Sequence, residues 1–182
     1  MERLIRTIVF TVVAAGLVLQ AGCGSGAIAN PQASLDADES SAAFLDRLSS
    51  QQTVNENDAM RGMLILLDGQ DNQAAFSERV EQLRSKDIID PDWDVDACKP
   101  LTRGRLAYMI YQATDMPGGV MLTLTGPSER YCLRELQYRR MMGNGSLFAP
   151  VTGLEYVGVL TRADVYIRSG QVPVKSGELP RY

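Results

Sequence analysis

The residues best equipped for chemistry lie close together between Asp90 and Arg105. Arg103 and Arg105 fall in the first turn of a helix that Thr102 is placed to cap, with Lys99 just ahead of it. Cations there oppose the helix dipole by several tenths of a kcal/mol, so something must compensate. Two arrangements would do so. In one, the helix N–H groups together with Thr102, Arg103, Arg105 and Lys99 receive a carboxylate or phosphate, and Trp93 offers a face on which a sugar can stack. In the other, the acidic turn Asp90, Asp92, Asp94 and Asp96 neutralises both arginines internally, and Trp93 closes over an edge of the core. The alternating Asp residues also copy the opening of an EF-hand loop. Val95 stands at its sixth position, where Gly is required, and Leu101 at its twelfth, where Glu is required, so no metal site is expected.

Composition removes whole classes of chemistry. The 182-residue chain contains no His, which excludes Ser-His-Asp and Cys-His nucleophile sites and deprives zinc of its usual ligand. It has no Gly-x-Ser-x-Gly elbow, phosphate-cradling loop or dinucleotide fingerprint. A carboxylate-based glycan hydrolase would need two acids facing across a cleft, and no such pair stands out. The expectation is therefore a protein that is not an enzyme and needs no cofactor. A formal net charge of −4 argues against a nucleic-acid partner, which would call for a basic face.

The N-terminus has the form of an export signal. Arg3 and Arg6 precede an uncharged apolar run, Thr7 to Leu19, too short to span a membrane. Gln20-Ala21-Gly22-Cys23 follows, and resembles the lipobox of bacterial lipoproteins, with Leu19 one step earlier than usual. That resemblance implies cleavage after Gly22, lipidation of Cys23 and attachment to a membrane of the cell envelope, with Gly24 leaning toward the outer one. Losing Met1 to Gly22 removes Glu2, Arg3 and Arg6, a net +1, and takes the chain from −4 to −5. Cys98 and Cys132 then remain as an even pair in an oxidising compartment, either joined as a disulfide or kept as two buried thiols.

The elements that must position these residues are helices. Residues 24–41 are rich in Gly, Ala, Ser, Asn and Asp and form a tether. Within 42–168, Phe76, Val80 and Leu83 mark one short helix, and Leu106, Ile110 and Ala113 mark a second that starts at Thr102. The pattern recurs. Val80, Leu83, Lys86, Ile88 and Ile89 align with Leu133, Leu136, Arg139, Met141 and Met142 at one constant offset. Pro100, Thr102, Leu106, Ala107, Ile110 and Ala113 align with Pro150, Thr152, Tyr156, Val157, Leu160 and Ala163 at an offset three residues smaller, the difference falling in the turn. A fainter copy places Phe44, Leu45 and Leu48 on a first helix and Asn55 to Leu67 on a second. Three helix pairs result, over about 42–68, 74–116 and 127–168. Thr152 and Glu155 form a capping box.

These pairs resemble the S-layer homology repeat of bacterial envelope proteins, whose second helix opens with Thr-Arg-Ala-Glu. Leu101-Thr102-Arg103-Gly104-Arg105 keeps the Thr and Arg and lacks the Glu, while Val151-Thr152-Gly153-Leu154-Glu155 keeps the Thr and Glu and lacks the Arg. The resemblance implies a mainly α fold of three units about a pseudo-threefold axis. It also implies non-covalent attachment to anionic wall glycans through Arg103 and Arg105. The alternative is a structural lipoprotein that docks onto a partner envelope protein.

Between the second and third pairs, Val120 to Leu124 is expected to be a short strand or extended connector after Pro117-Gly118-Gly119. Met60, Met63, Met109, Met141 and Met142 sit at core spacing. Arg130, Arg134, Arg139 and Arg140 share a helix with Glu129 and Glu135 and read as a mixed solvated face. The tail, 169–182, is expected to be extended.

Overall fold

A computed structural model describes residues 39–172. The leader, Cys23, the tether up to residue 38 and the tail from residue 173 lie outside the described residues. Within them run seven helices: α1 (Ser41–Ser49), α2 (Glu56–Asp68), α3 (Phe76–Ser85), α4 (Arg103–Thr114), α5 (Val120–Thr125), α6 (Glu129–Tyr138) and α7 (Gly153–Ser169). Extended pairing among the described residues is limited to two isolated bridges, Asn55 with Pro100 and Thr102 with Pro150. The fold is mainly α.

In place of the strand or extended connector expected from sequence, the chain forms α5. Its β-favouring composition is overruled by context, because no strand among the described residues lies nearby to pair with and Leu122 gains burial by packing toward α6. Gly119 provides an uncapped start and Gly126, at φ 79°, a stop. The hydroxyls of Thr123 and Thr125 donate back to the carbonyls of Gly119 and Met121, four residues earlier, which suits a helix.

The second helices α2, α4 and α7 start alike. Asn55, Thr102 and Thr152 are extended N-caps whose side-chain oxygens accept the amides of Asp58 at 2.7 Å, Arg105 at 3.3 Å and Glu155 at 3.2 Å. The first helices α3 and α6 end alike. Asp87 and Arg140 take left-handed φ of 58° and 61°, and the next amides, Ile88 and Met141, donate back to Leu83 and Leu136 at 2.9 and 2.8 Å. That backbone costs a non-glycine residue about 1 kcal/mol. Burial of Ile88-Ile89 in one pair and Met141-Met142 in the other offsets it.

Each first helix packs chiefly on the second helix of a different pair: α1 on α7, α3 on α2 and α6 on α4. The second helices touch one another in all three combinations. At their starts Val54, Leu101 and Val151, all fully buried, close a ring of backbone hydrogen bonds. Leu101 donates to Val54 at 2.8 Å, Val54 to Val151 at 2.9 Å, and Val151 to Leu101 at 3.0 Å. An outer set joins the same three pairs in the opposite sense, with the amides of Glu56, Arg103 and Gly153 donating to the carbonyls of Lys99, Ala149 and Gln51.

Gly153 shows how tight this junction is. A Cβ there would lie 1.7 Å from the Leu48 carbonyl oxygen, a backbone atom that cannot turn aside. Gly153→Ala should therefore lower stability by about 3 kcal/mol or more in urea unfolding. Gly158→Ala, on the same helix with no contact closer than 3.6 Å, should raise it by about 0.5–1 kcal/mol.

Candidate functional site at the helix starts

The ring gathers the charged residues singled out from sequence. The first-turn amides of α4, however, are all engaged: Arg103 N donates to Ala149 O at 3.0 Å, Gly104 N to Leu147 O at 2.9 Å and Arg105 N to Thr102 Oγ1. A helix end whose donors are spent in this way has little to offer an anion. The N–H groups expected to receive a ligand serve the junction instead.

Both arginines are paired with carboxylates of other helices. Arg105 donates to Glu56 of α2, which is fully buried, and to the Asp94 carbonyl at 2.9 Å, while its guanidinium lies 4.9 Å over the Trp93 ring. Arg103 is bridged to Glu155 of α7 at 3.0 Å and donates to the Gly143 carbonyl. Gly145 lets it lie flat, since a Cβ there would sit 2.7 Å from its Nη1. Internal compensation is one of the two arrangements expected from sequence, but its source differs: Glu56 and Glu155 supply it, and the Asp90–Asp96 carboxylates do not. Glu155 faces Arg103, so the capping box expected at Thr152 has its forward half alone.

The turn itself is organised by these partners. Glu56 Oε2 accepts the Asp96 amide at 2.9 Å, Asp90 accepts Asp92 N and Asp96 accepts Cys98 N. Lys99 is exposed and stands 3.8 Å from an exposed Asp94 carboxylate, a contact of little energetic value. Trp93 is half-buried with its centroid 5.1 Å from that of Tyr108, closing a core edge. Glu129 of α6 approaches α4 where Gly104 makes room, a Cβ there falling 2.5 Å from Glu129 Oε2. Burial pushes the carboxyls of Glu56 and Glu129 above their ordinary range, against the pull of Arg105.

Sequence reading missed a second charged cluster. Arg79 is 3% exposed and donates to Asp71 at 2.6 Å, Asn57 at 2.9 Å and the Gln73 carbonyl at 2.7 Å. Arg61, 5% exposed, bonds Glu39 and lies 4.3 Å over the Phe44 ring. It ties the entry of α1 to α2 and α3. The available signal was Arg61 itself, a cation inside the apolar run Met60 to Leu67. Nearby, Asp58 is buried with no partner for Oδ1 among the described residues, and Gln51 Oε1 is likewise unpartnered among them. Desolvation pushes the Asp58 carboxyl up, outweighing Arg47, Gln51, Arg61 and Arg79.

Cys132 is a free thiol buried between α6 and the core, so the bridge to Cys98 is not formed. Cys132 lies on the inner face of α6 with Leu133 and Leu136, whereas Cys98 lies half-buried in the acidic turn. Burial raises the Cys132 thiol to about 12, which makes it unreactive near neutrality. Among the described residues no His, Cys, Asp and Glu group has the arrangement of a metal site.

No family model, curated protein or solved structure matches this chain.

Two measurements follow from the buried groups. A carboxyl raised on folding binds protons more tightly in the folded state, so the stability it contributes falls as pH rises from the unfolded value of 3.8 through the raised folded one. Asp58→Asn should flatten the loss of stability between pH 4 and 7 and raise the urea midpoint at pH 7. An unchanged slope would remove Asp58 as its source. Iodoacetamide at pH 8 should leave Cys132 unmodified in the folded protein and alkylate it after denaturation. A non-reducing digest containing a Cys98–Cys132 cross-linked peptide would contradict this arrangement.

Proposed function

We propose that this chain is a non-enzymatic attachment module of the bacterial cell envelope, held to a membrane through lipidated Cys23. In this reading its folded part is three S-layer-homology-like helix pairs about a pseudo-threefold axis, attached non-covalently to an anionic wall glycan. The observation that carries it is the closed Val54–Leu101–Val151 ring, in which three equivalent positions, each just before an N-cap, exchange equivalent bonds. The cyclic packing of α1 on α7, α3 on α2 and α6 on α4 supports the same symmetry.

The two arginines take different parts in this reading. Arg105 faces a fully buried Glu56 and is structural. Arg103 faces a partly exposed Glu155, and its Nε–H has no acceptor among the described residues. A glycan carboxylate can replace Glu155 by exchanging one anion for another, without uncovering a buried charge. The second reading, a structural lipoprotein that docks onto a partner envelope protein, is favoured by the engagement of the α4 amides.

Co-sedimentation of the mature chain with purified wall material separates the two. Arg103→Ala should weaken binding at least tenfold while costing about 1 kcal/mol of stability. Arg105→Ala should lower stability by about 3–5 kcal/mol, because it strands Glu56. Unchanged sedimentation of the Arg103→Ala protein would rule out the glycan site and leave partner docking.

A further inference from the structure

The insertion between the second and third helix pairs leaves an apolar face uncovered. Of the residues in α5, Leu122 alone is buried, while Val120 is 76% exposed, Met121 46% and Leu124 74%. Val120 and Leu124 are four residues apart and share one side of the helix. The helix carries no charge. Beside it, Arg130, Arg134 and Tyr138 form a single i, i+4 stripe along α6, all exposed, and Tyr138 reaches 85%. Val120 and Met121 line one cleft with Tyr131, Arg134, Glu135 and Tyr138. Glu135 is held by Arg139 at 2.7 Å, whereas neither Arg130 nor Arg134 enters an ion pair among the described residues.

We infer that this α5–α6 face rests on an anionic lipid surface, with Val120, Met121 and Leu124 entering the headgroup boundary and Arg130 and Arg134 facing lipid phosphates. Three features select that occupant. The apolar residues are exposed, and the two threonine hydroxyls of α5 are spent on its own backbone. Tyr131 and Tyr138 place amphipathic rings beside them, where an interface favours such rings. The surplus of charge along this face is positive on a chain whose net charge is −4. A second copy of the chain is a poorer fit, because a two-fold contact would set Arg130 and Arg134 against their own counterparts. This contact uses none of the residues that pair with Arg103 and stands whether or not the glycan reading holds.

Tryptophan quenching tests it. The full chain is mixed with vesicles of phosphatidylglycerol and phosphatidylcholine, or of phosphatidylcholine alone, with brominated acyl chains as quencher. Leu124→Trp adds a reporter on α5, and Ile167→Trp adds one at an exposed site on α7, which packs on α1, α2 and α4. The inference expects at least threefold more quenching at position 124 than at 167 on anionic vesicles. It also expects the difference to vanish with Arg130→Glu and Arg134→Glu together, or on phosphatidylcholine alone. Equal quenching at both positions, or quenching indifferent to the charge reversal, would overturn it. So would a change in the emission of the Leu124→Trp protein that grows with its concentration in the absence of vesicles, which would assign the face to a second copy. Circular dichroism confirms that each variant is folded, and all the substituted positions are exposed.

Discussion

The ring of hydrogen bonds joining Val54, Leu101 and Val151 is the constraint on which the remaining structure depends. Each member gives its N–H to one neighbour and its carbonyl to the other, deep enough that no water can substitute. Because each residue immediately precedes an N-cap, the ring also fixes where three helices start. The caps, the engaged first-turn amides and the placement of Glu56, Arg103 and Gly153 follow from that geometry. A shift of one residue in any segment would leave buried donors and acceptors unpaired in all three.

The charge distribution becomes intelligible in the same frame. Arg103 and Arg105 are unfavourable where they stand on α4, and the unfavourable field is answered by carboxylates on α7 and α2. Neither the problem nor its remedy belongs to one helix pair. Each cation stands on one helix and its carboxylate on another, so the two signs are balanced only when the helix pairs are assembled.

What the sequence disclosed divides along the same line. The N-caps Thr102 and Thr152, the helices that follow them and the matched ends at Ile88 and Met141 are local, so residue type and spacing announce them. The partners of Arg103 and Arg105 lie 52 and 49 positions away, and no periodicity encodes that. The acidic turn, a few residues from both, is the nearest visible source of negative charge. Gly104, Gly145 and Gly153 each mark a close approach, legible as glycine but silent about what approaches. For α5, the β-favouring composition of Val120 to Thr125 points to extended backbone, and the absence of a neighbouring strand among the described residues decides otherwise.

The packing of α1 against α7 also governs the order in which the chain can be completed. The first helix of the described residues, which buries Phe44 and Leu48, packs chiefly on the last of them, more than a hundred positions later. A growing chain therefore has no finished core until α7 is available, and the early segments stay pliable in the meantime. Under the export proposed for this polypeptide, such late closure keeps it threadable through a narrow channel and defers its folding to the far side.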